Sequence, residues 1–226
     1  RLRFEVPGAN AGVATSAMES MLVTDDEDVD ANHYKRITYE ATIDRDLGYS
    51  MQVVYEGTNS SHQTFLQLPV TIVGAPGRRG QIQWEAHDQV SQKRLAYQVK
   101  PHPTNVDKLW LRVSLPPGSH GSAVSVRIRV AVPALMWPEN DFDAVGLARF
   151  VGGVEEFVYT LRSEREVQEP RCFSVHRGGL HPLELQVSVG ETIGDNTYPS
   201  VLRPKCRNPA ELGLGLLCHY RALGDP

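Results

Sequence analysis

Residues Lys108 to Val132, KLWLRVSLPPGSHGSAVSVRIRVAV, decide the fold class. Leu109, Leu111, Val113 and Leu115 alternate with polar or aromatic neighbours, and Val124, Val126, Ile128, Val130 and Val132 do the same after the Pro116-Pro117-Gly118 turn. Successive side chains on a strand point to opposite sides, so this period of two puts the aliphatic set into a core. The simplest arrangement is a β-hairpin with one buried face. Trp110, Arg112, Arg127 and Arg129 then share its outer face, where cross-strand neighbours bring the four together.

Working outward, the same alternation and intervening turn residues predict strands near 36–43, 49–56, 65–73, 81–87, 94–100, 108–115 and 123–133. Trp84 falls in phase with Ile82 and Ala86 and is read as core. The run 137–153 breaks the pattern and reads as a linker, with Asp143 capping a short helix that ends at Gly152-Gly153. Strands resume near 156–161, 171–176, 183–189, 198–203 and 213–221. Asn208, Pro209 and Glu211 mark one capped helical turn.

The expected class is all-β, an antiparallel β-sandwich of immunoglobulin-like or jelly-roll-like type, with one or two short helices. It is either one large sandwich or two in tandem. The segments are an N-terminal stretch with an acidic loop (1–35), a sandwich (36–135), a linker (136–153) and a second β region (154–226), a half-sandwich or a continuation of the first. A weak internal echo, 39–57 against 159–178, leaves the tandem arrangement open.

With 226 residues, 41% of them apolar, the chain has enough material for a core. Its formal net charge of −4 makes nucleic acid an unlikely principal partner. No apolar run approaches membrane-spanning length, so no membrane insertion is expected. The first residue is Arg1, not Met, and the chain is read as part of something longer, from which a signal peptide could have been removed. Three cysteines, Cys172, Cys206 and Cys218, are sparse and odd in number, which points to a reducing, cytoplasmic location. Asn59-Ser60-Ser61 matches a glycosylation sequon, relevant only to a secreted chain.

Each candidate chemistry has a plainer counterpart. Asp26, Asp28 and Asp30 have calcium-loop spacing, but Ala31 stands where that motif needs glycine and Ile37 where it needs a bidentate glutamate, so a solvated acidic loop is expected. Cys172, His176, His181, Cys206, Cys218 and His219 supply zinc-type ligands at poor spacing; buried cysteines acting as small hydrophobes are the expectation. Ser119 and His120 are sequence neighbours on a turn, which rarely hold nucleophile and base in register. Gly74 to Gly80 lacks the Lys and Ser/Thr of a phosphate loop and reads as a basic hairpin turn.

These features predict a non-catalytic recognition or scaffolding module of a larger protein or assembly. It uses no cofactor and no metal, and binds a protein partner first or a small anionic ligand second through Trp110, Arg112, Arg127 and Arg129. Alternatives are a metal-dependent hydrolase using residues 176–219, a capsid-like shell and a carbohydrate-binding sandwich.

Overall fold

The computed structural model describes residues 18, 21, 29–60, 64–71, 80–103, 108–116, 119–132 and 142–222. Among these, the strands are β1 (His33–Ile43), β2 (Tyr49–Thr58), β3 (Phe65–Thr71), β4 (Gln83–Asp88), β5 (Tyr97–Pro101), β6 (Lys108–Ser114), β7 (Ala123–Val132), β8 (Phe142–Gly146), β9 (Val154–Ser163), β10 (Val167–His176), β11 (Gly179–Leu183), β12 (Leu185–Ile193), β13 (Asn196–Pro204) and β14 (Gly215–Ala222). A four-residue helix, α1 (Pro209–Leu212), precedes β14, and the Asn208 carboxamide oxygen caps it by accepting from the Ala210 N–H at 3.1 Å. The protein is all-β, with sheets that are antiparallel except where β1 and β9 run parallel.

The strands form a seven-stranded sheet (β12-β13-β9-β1-β2-β7-β4), a four-stranded sheet (β11-β10-β14-β8) and a three-stranded sheet (β3-β6-β5). One apolar core joins all three. It takes Ile37, Ala41, Val53, Ile128 and Leu161 from the large sheet, Leu66, Leu111 and Val113 from the three-stranded sheet, and Leu216, Cys218 and Tyr220 from the four-stranded sheet. The large sheet draws strands from both halves of the chain, because β9 lies against β1 with Tyr159 opposite Tyr39.

The hairpin expected from 108–132 does not form. β6 pairs with β3 and β5, while β7 pairs with β2 and β4. Both strands turn their aliphatic rows to the same core, but from different sheets. Alternation reports that a strand has one buried face; it does not distinguish strands paired in one sheet from strands facing each other across a core. The connecting loop is held at the end of β2, where the Asn59 N–H donates to Ser122 O and the Gly121 N–H to Asn59 O. The Asn59 side chain is 2% exposed and its amide donates to Ser119 Oγ at 3.1 Å, so the sequon asparagine is occupied internally.

Three further expectations are corrected. Residues 142–146 are a strand, and Asp143 is a hydrogen-bond acceptor between sheets, not a helix cap. β11 splits off before the strand expected at 183–189. The echo between 39–57 and 159–178 is not structural, since β1 pairs with β2 whereas β9 and β10 lie in different sheets. Trp84 packs against the core with Ile82 and Ala86, as expected. The junction at 136–138, the turn at 74–79, and Asp26 and Asp28 lie outside the described residues. No helix among the described residues is long and apolar enough to cross a membrane.

Candidate functional site

The four residues expected to share one surface fall into two places. Trp110 is 5% exposed, in edge contact with the His102 ring at 4.8 Å between centroids. The Arg112 guanidinium lies over both the Phe65 and Trp110 rings, at 4.9 and 5.5 Å, and its Nε donates to Gln67 Oε1 at 2.8 Å. These two belong to the middle strand of the three-stranded sheet and are used in packing. Arg127 and Arg129 stand on β7, on the face of the large sheet opposite the core; Arg127 is half-buried and Arg129 exposed.

That outer face is polar because each strand contributing to it alternates. β1 presents Thr38, Glu40 and Thr42 between Ile37, Tyr39, Ala41 and Ile43, and β2 presents Ser50 and Gln52 around Met51 and Val53. The register then lines up one row: Glu40 is opposite Gln52, Gln52 opposite Arg129, and Arg129 opposite Glu85. On the other side, Arg162 of β9 reaches Glu40, Nη2 to Oε1 at 2.7 Å, while Gln52 Nε2 donates to Glu40 Oε2 at 3.3 Å. Both oxygens of Glu40 are therefore engaged, whereas Arg129 and the exposed Glu85 stand open to solvent. A cavity of about 290 Å³ opens over this row, lined by Glu40, Gln52, Glu85, Arg129, Arg162 and Tyr198. The Arg162 Nε is buried without a hydrogen bond among the described residues.

Further charge pairs flank the row. Glu156 accepts from Arg36 at 2.6 Å and Arg207 at 3.3 Å, and these hydrogen bonds hold its carboxyl below the usual carboxylate range. Arg203 grips Glu191 through two nitrogens at 2.5 and 2.7 Å, and that fork likewise lowers Glu191. The outer face thus carries fixed, mixed charge. Such a surface suits docking of a complementary polar surface, or of an anion at Arg129 and Arg162.

The other sequence candidates are placed as follows. Asp30 is buried; its carboxylate accepts from the Tyr34 hydroxyl at 2.8 Å and the Asn32 N–H at 2.9 Å, with Arg149 at 3.8 Å. Cys172 and Cys218 face each other across β10 and β14 and form a disulfide, with Cα atoms 4.2 Å apart. This overturns the reading of three reduced cysteines: one pair is bridged and Cys206 is left free. His176 and His181 stack at 4.6 Å, and His176 Nε2 lies 2.9 Å from Ser174 Oγ. Ser174 is only 2% exposed, so this serine and histidine contact gives a substrate no access to the hydroxyl. His219 is on β14, next to the bridged Cys218 and on the opposite face of its strand. No three His, Cys, Asp or Glu side chains among the described residues converge as a metal site.

The fold defines an all-β, three-sheet domain with a polar outer sheet face. No family model matches the chain, and no curated protein matches its sequence. Among solved structures it resembles a putative protease from Parabacteroides distasonis, with a TM-score of 0.54 and 10% identity, covering 85% of this chain and 41% of that one. Looser likenesses include leukotriene A4 hydrolase from Saccharomyces cerevisiae (TM-score 0.43, 10% identity, 91% of this chain and 33% of that one). A further one is the M1 zinc metallopeptidase from Deinococcus radiodurans (TM-score 0.40, 11% identity, 84% and 42%). The chain spans about two fifths of the length of the Parabacteroides protein.

Proposed function

We propose that this chain is a non-catalytic β module of a larger protein, which docks a protein partner through the outer face of its seven-stranded sheet. The observation that supports this best is the row Glu40, Gln52, Arg129 and Glu85, aligned across four adjacent strands and joined at one end by the Arg162 side chain reaching over from β9, with Arg129 and Glu85 open to solvent at the other. A partner with its own acidic and basic groups in alternating order fits that row, and charge order selects against partners with the opposite one. A small anion at Arg129 and Arg162 is the secondary ligand. Trp110 and Arg112, assigned to packing, are no longer in this surface.

The location proposed with this reading is an oxidising compartment in place of the cytoplasm, because the Cys172–Cys218 bridge is of the kind that persists there. A second reading, a contributing domain of a larger hydrolase, is favoured by the likeness to the putative protease. On that reading the chemistry belongs to another domain, and this module positions it or its substrate.

Affinity capture with the tagged chain, followed by charge reversal, tests the docking surface. A partner retained at equal molar amount, weakened by salt, lost with Arg129→Glu and still lost when Glu85→Arg is added, which restores the net charge but reverses the charge order, is the expected result. Hydrolysis of peptide reporters by the purified chain, with or without added zinc, would overturn the non-catalytic assignment.

A further inference from the structure

The seven-stranded sheet ends in two edges that are treated differently. At β4, the chain returns and covers the edge: the Leu95 N–H donates to Ala86 O at 2.8 Å, the Asp88 N–H to Lys93 O at 2.9 Å, and His87 bridges to Arg94. At the far end, β12 is paired only on its β13 side among the described residues. Its backbone groups on the other side form an open template for another strand.

The outward groups can be identified from one hydrogen bond. The Lys205 N–H donates to Glu184 O at 2.9 Å, in the same antiparallel register that sets Leu185 opposite Pro204 and Val187 opposite Leu202. Hydrogen-bonded and non-bonded pairs alternate along an antiparallel ladder. Residues 184, 186 and 188 therefore face β13 with their backbone groups, and Leu185, Val187 and Val189 direct theirs to the open edge. The same three residues share one side-chain face, where Val187 is 45% exposed and Val189 83%. Gly190, with φ of +65°, ends this regular stretch.

β12 also lacks the devices that usually block an edge. It contains no Lys, Arg or Pro, and its one charged residue, Glu191, is held by the Arg203 fork. The stretch Leu185 to Val189 is uncharged, and its alternation of apolar Leu185, Val187 and Val189 with polar Gln186 and Ser188 is symmetric about Val187. Laid antiparallel on itself, it sets Val187 opposite its own copy and each Leu185 opposite a Val189, so every pair on that face is aliphatic. A two-fold axis needs such a self-complementary patch.

We infer that β12 pairs with β12 of a second copy of this chain, antiparallel and centred on Val187, so that two seven-stranded sheets continue as one. This surface is separate from the outer-face row around Arg129, and the two stand or fall independently.

Sedimentation velocity over a 100-fold range of concentration tests the pairing. The expected result is a mass rising from 25.1 kDa toward twice that value, with loss of the dimer in Val189→Lys while the thermal midpoint, compared at the dilute end where both chains are monomeric, stays unchanged. A second variant reads the register: Val187→Cys, in a Cys206→Ser background, is expected to give a covalent dimer under mild oxidation, because directly opposed bonded residues have Cα atoms about 5.5 Å apart. A chain that stays monomeric throughout, or a dimer that Val189→Lys leaves intact, overturns the pairing.

Discussion

The Tyr159 hydroxyl donates to Asp143 Oδ2 at 2.7 Å, joining the inner strand β9 of the large sheet to the edge strand β8 of the four-stranded sheet. Tyr49 donates to the other oxygen at 2.9 Å, Tyr39 lies 2.7 Å from Tyr49, and the Ala144 N–H adds a third donor. Burial raises the Asp143 carboxyl above its usual range, against the opposing pull of these hydrogen bonds. The same burial raises all three tyrosines, so they remain protonated donors at neutral pH.

Asp143→Ala leaves two buried phenol groups without their acceptor, a loss expected to cost about 3 kcal/mol. Urea unfolding at pH 7 measures it. The pH dependence has a definite sign. A carboxyl whose folded pKa lies above its unfolded value contributes stability that is full below the unfolded value and declines as pH rises through the folded one. Asp143→Asn cannot titrate, so the stability difference between the native chain and this variant should narrow as pH rises from about 4. A gap that widens over that interval would mean the carboxyl is held low instead.

The Cys172–Cys218 bridge closes a segment of 46 residues that contains β11, β12, β13 and α1. The loop-entropy relation assigns such a closure about 4 kcal/mol. Replacing both cysteines with alanine should lower stability by an amount of that order, with the fold retained at low temperature. Alkylation under native, unreduced conditions should label Cys206 alone, and all three cysteines after unfolding and reduction. Three labels without reductant would show that the bridge is not formed.

Strand positions were legible where a strand has one apolar side; β1, β2 and β7 carry clean alternation, whereas β6 and β9 also bury Trp110 and Thr160 in the opposite phase. Helix α1 was legible because Asn208 and Pro209 are both placed by local backbone chemistry. Sheet membership was not, because the period of two is the same whether the neighbour is paired or faces across the core. For that reason the disulfide was missed: Cys172 and Cys218 are 46 residues apart, and only the pairing of β10 with β14 brings them opposite. The outer row left a partial signal. Glu40, Gln52 and Arg162 occupy the polar phase of their strands, but their alignment depends on registers, including the parallel β1 and β9 pair, that no local pattern encodes.

Gly152 is required for a close approach. A Cβ there would lie 2.2 Å from Ala31 O and 2.3 Å from Asn32 O, both backbone atoms that cannot move aside alone. Gly152→Ala should destabilise the chain by about 2–3 kcal/mol and loosen the neighbouring Asp30 and Tyr34 hydrogen bond. Gly178→Ala is the control, since a Cβ at that position meets nothing within 4 Å. Its unfolding midpoint should stay close to that of the native chain, and equal losses at the two sites would exclude a steric cause at Gly152.

Trp110 and Arg129 separate packing from recognition, because they came from adjacent runs of one alternating segment and occupy different sheets. Trp110 is 5% exposed and in contact with His102, so Trp110→Ala removes a large buried side chain and should cost about 3–5 kcal/mol. Its native fluorescence should be shielded from iodide. Arg129 is exposed on β7 beside Glu85, so Arg129→Glu should change stability by no more than about 0.5 kcal/mol. Captured partner should nevertheless be lost from the Arg129 variant. A partner that survives Arg129→Glu at full occupancy, or a stability loss as large as that of Trp110→Ala, would show that the outer row is part of the framework of the fold and not its docking surface.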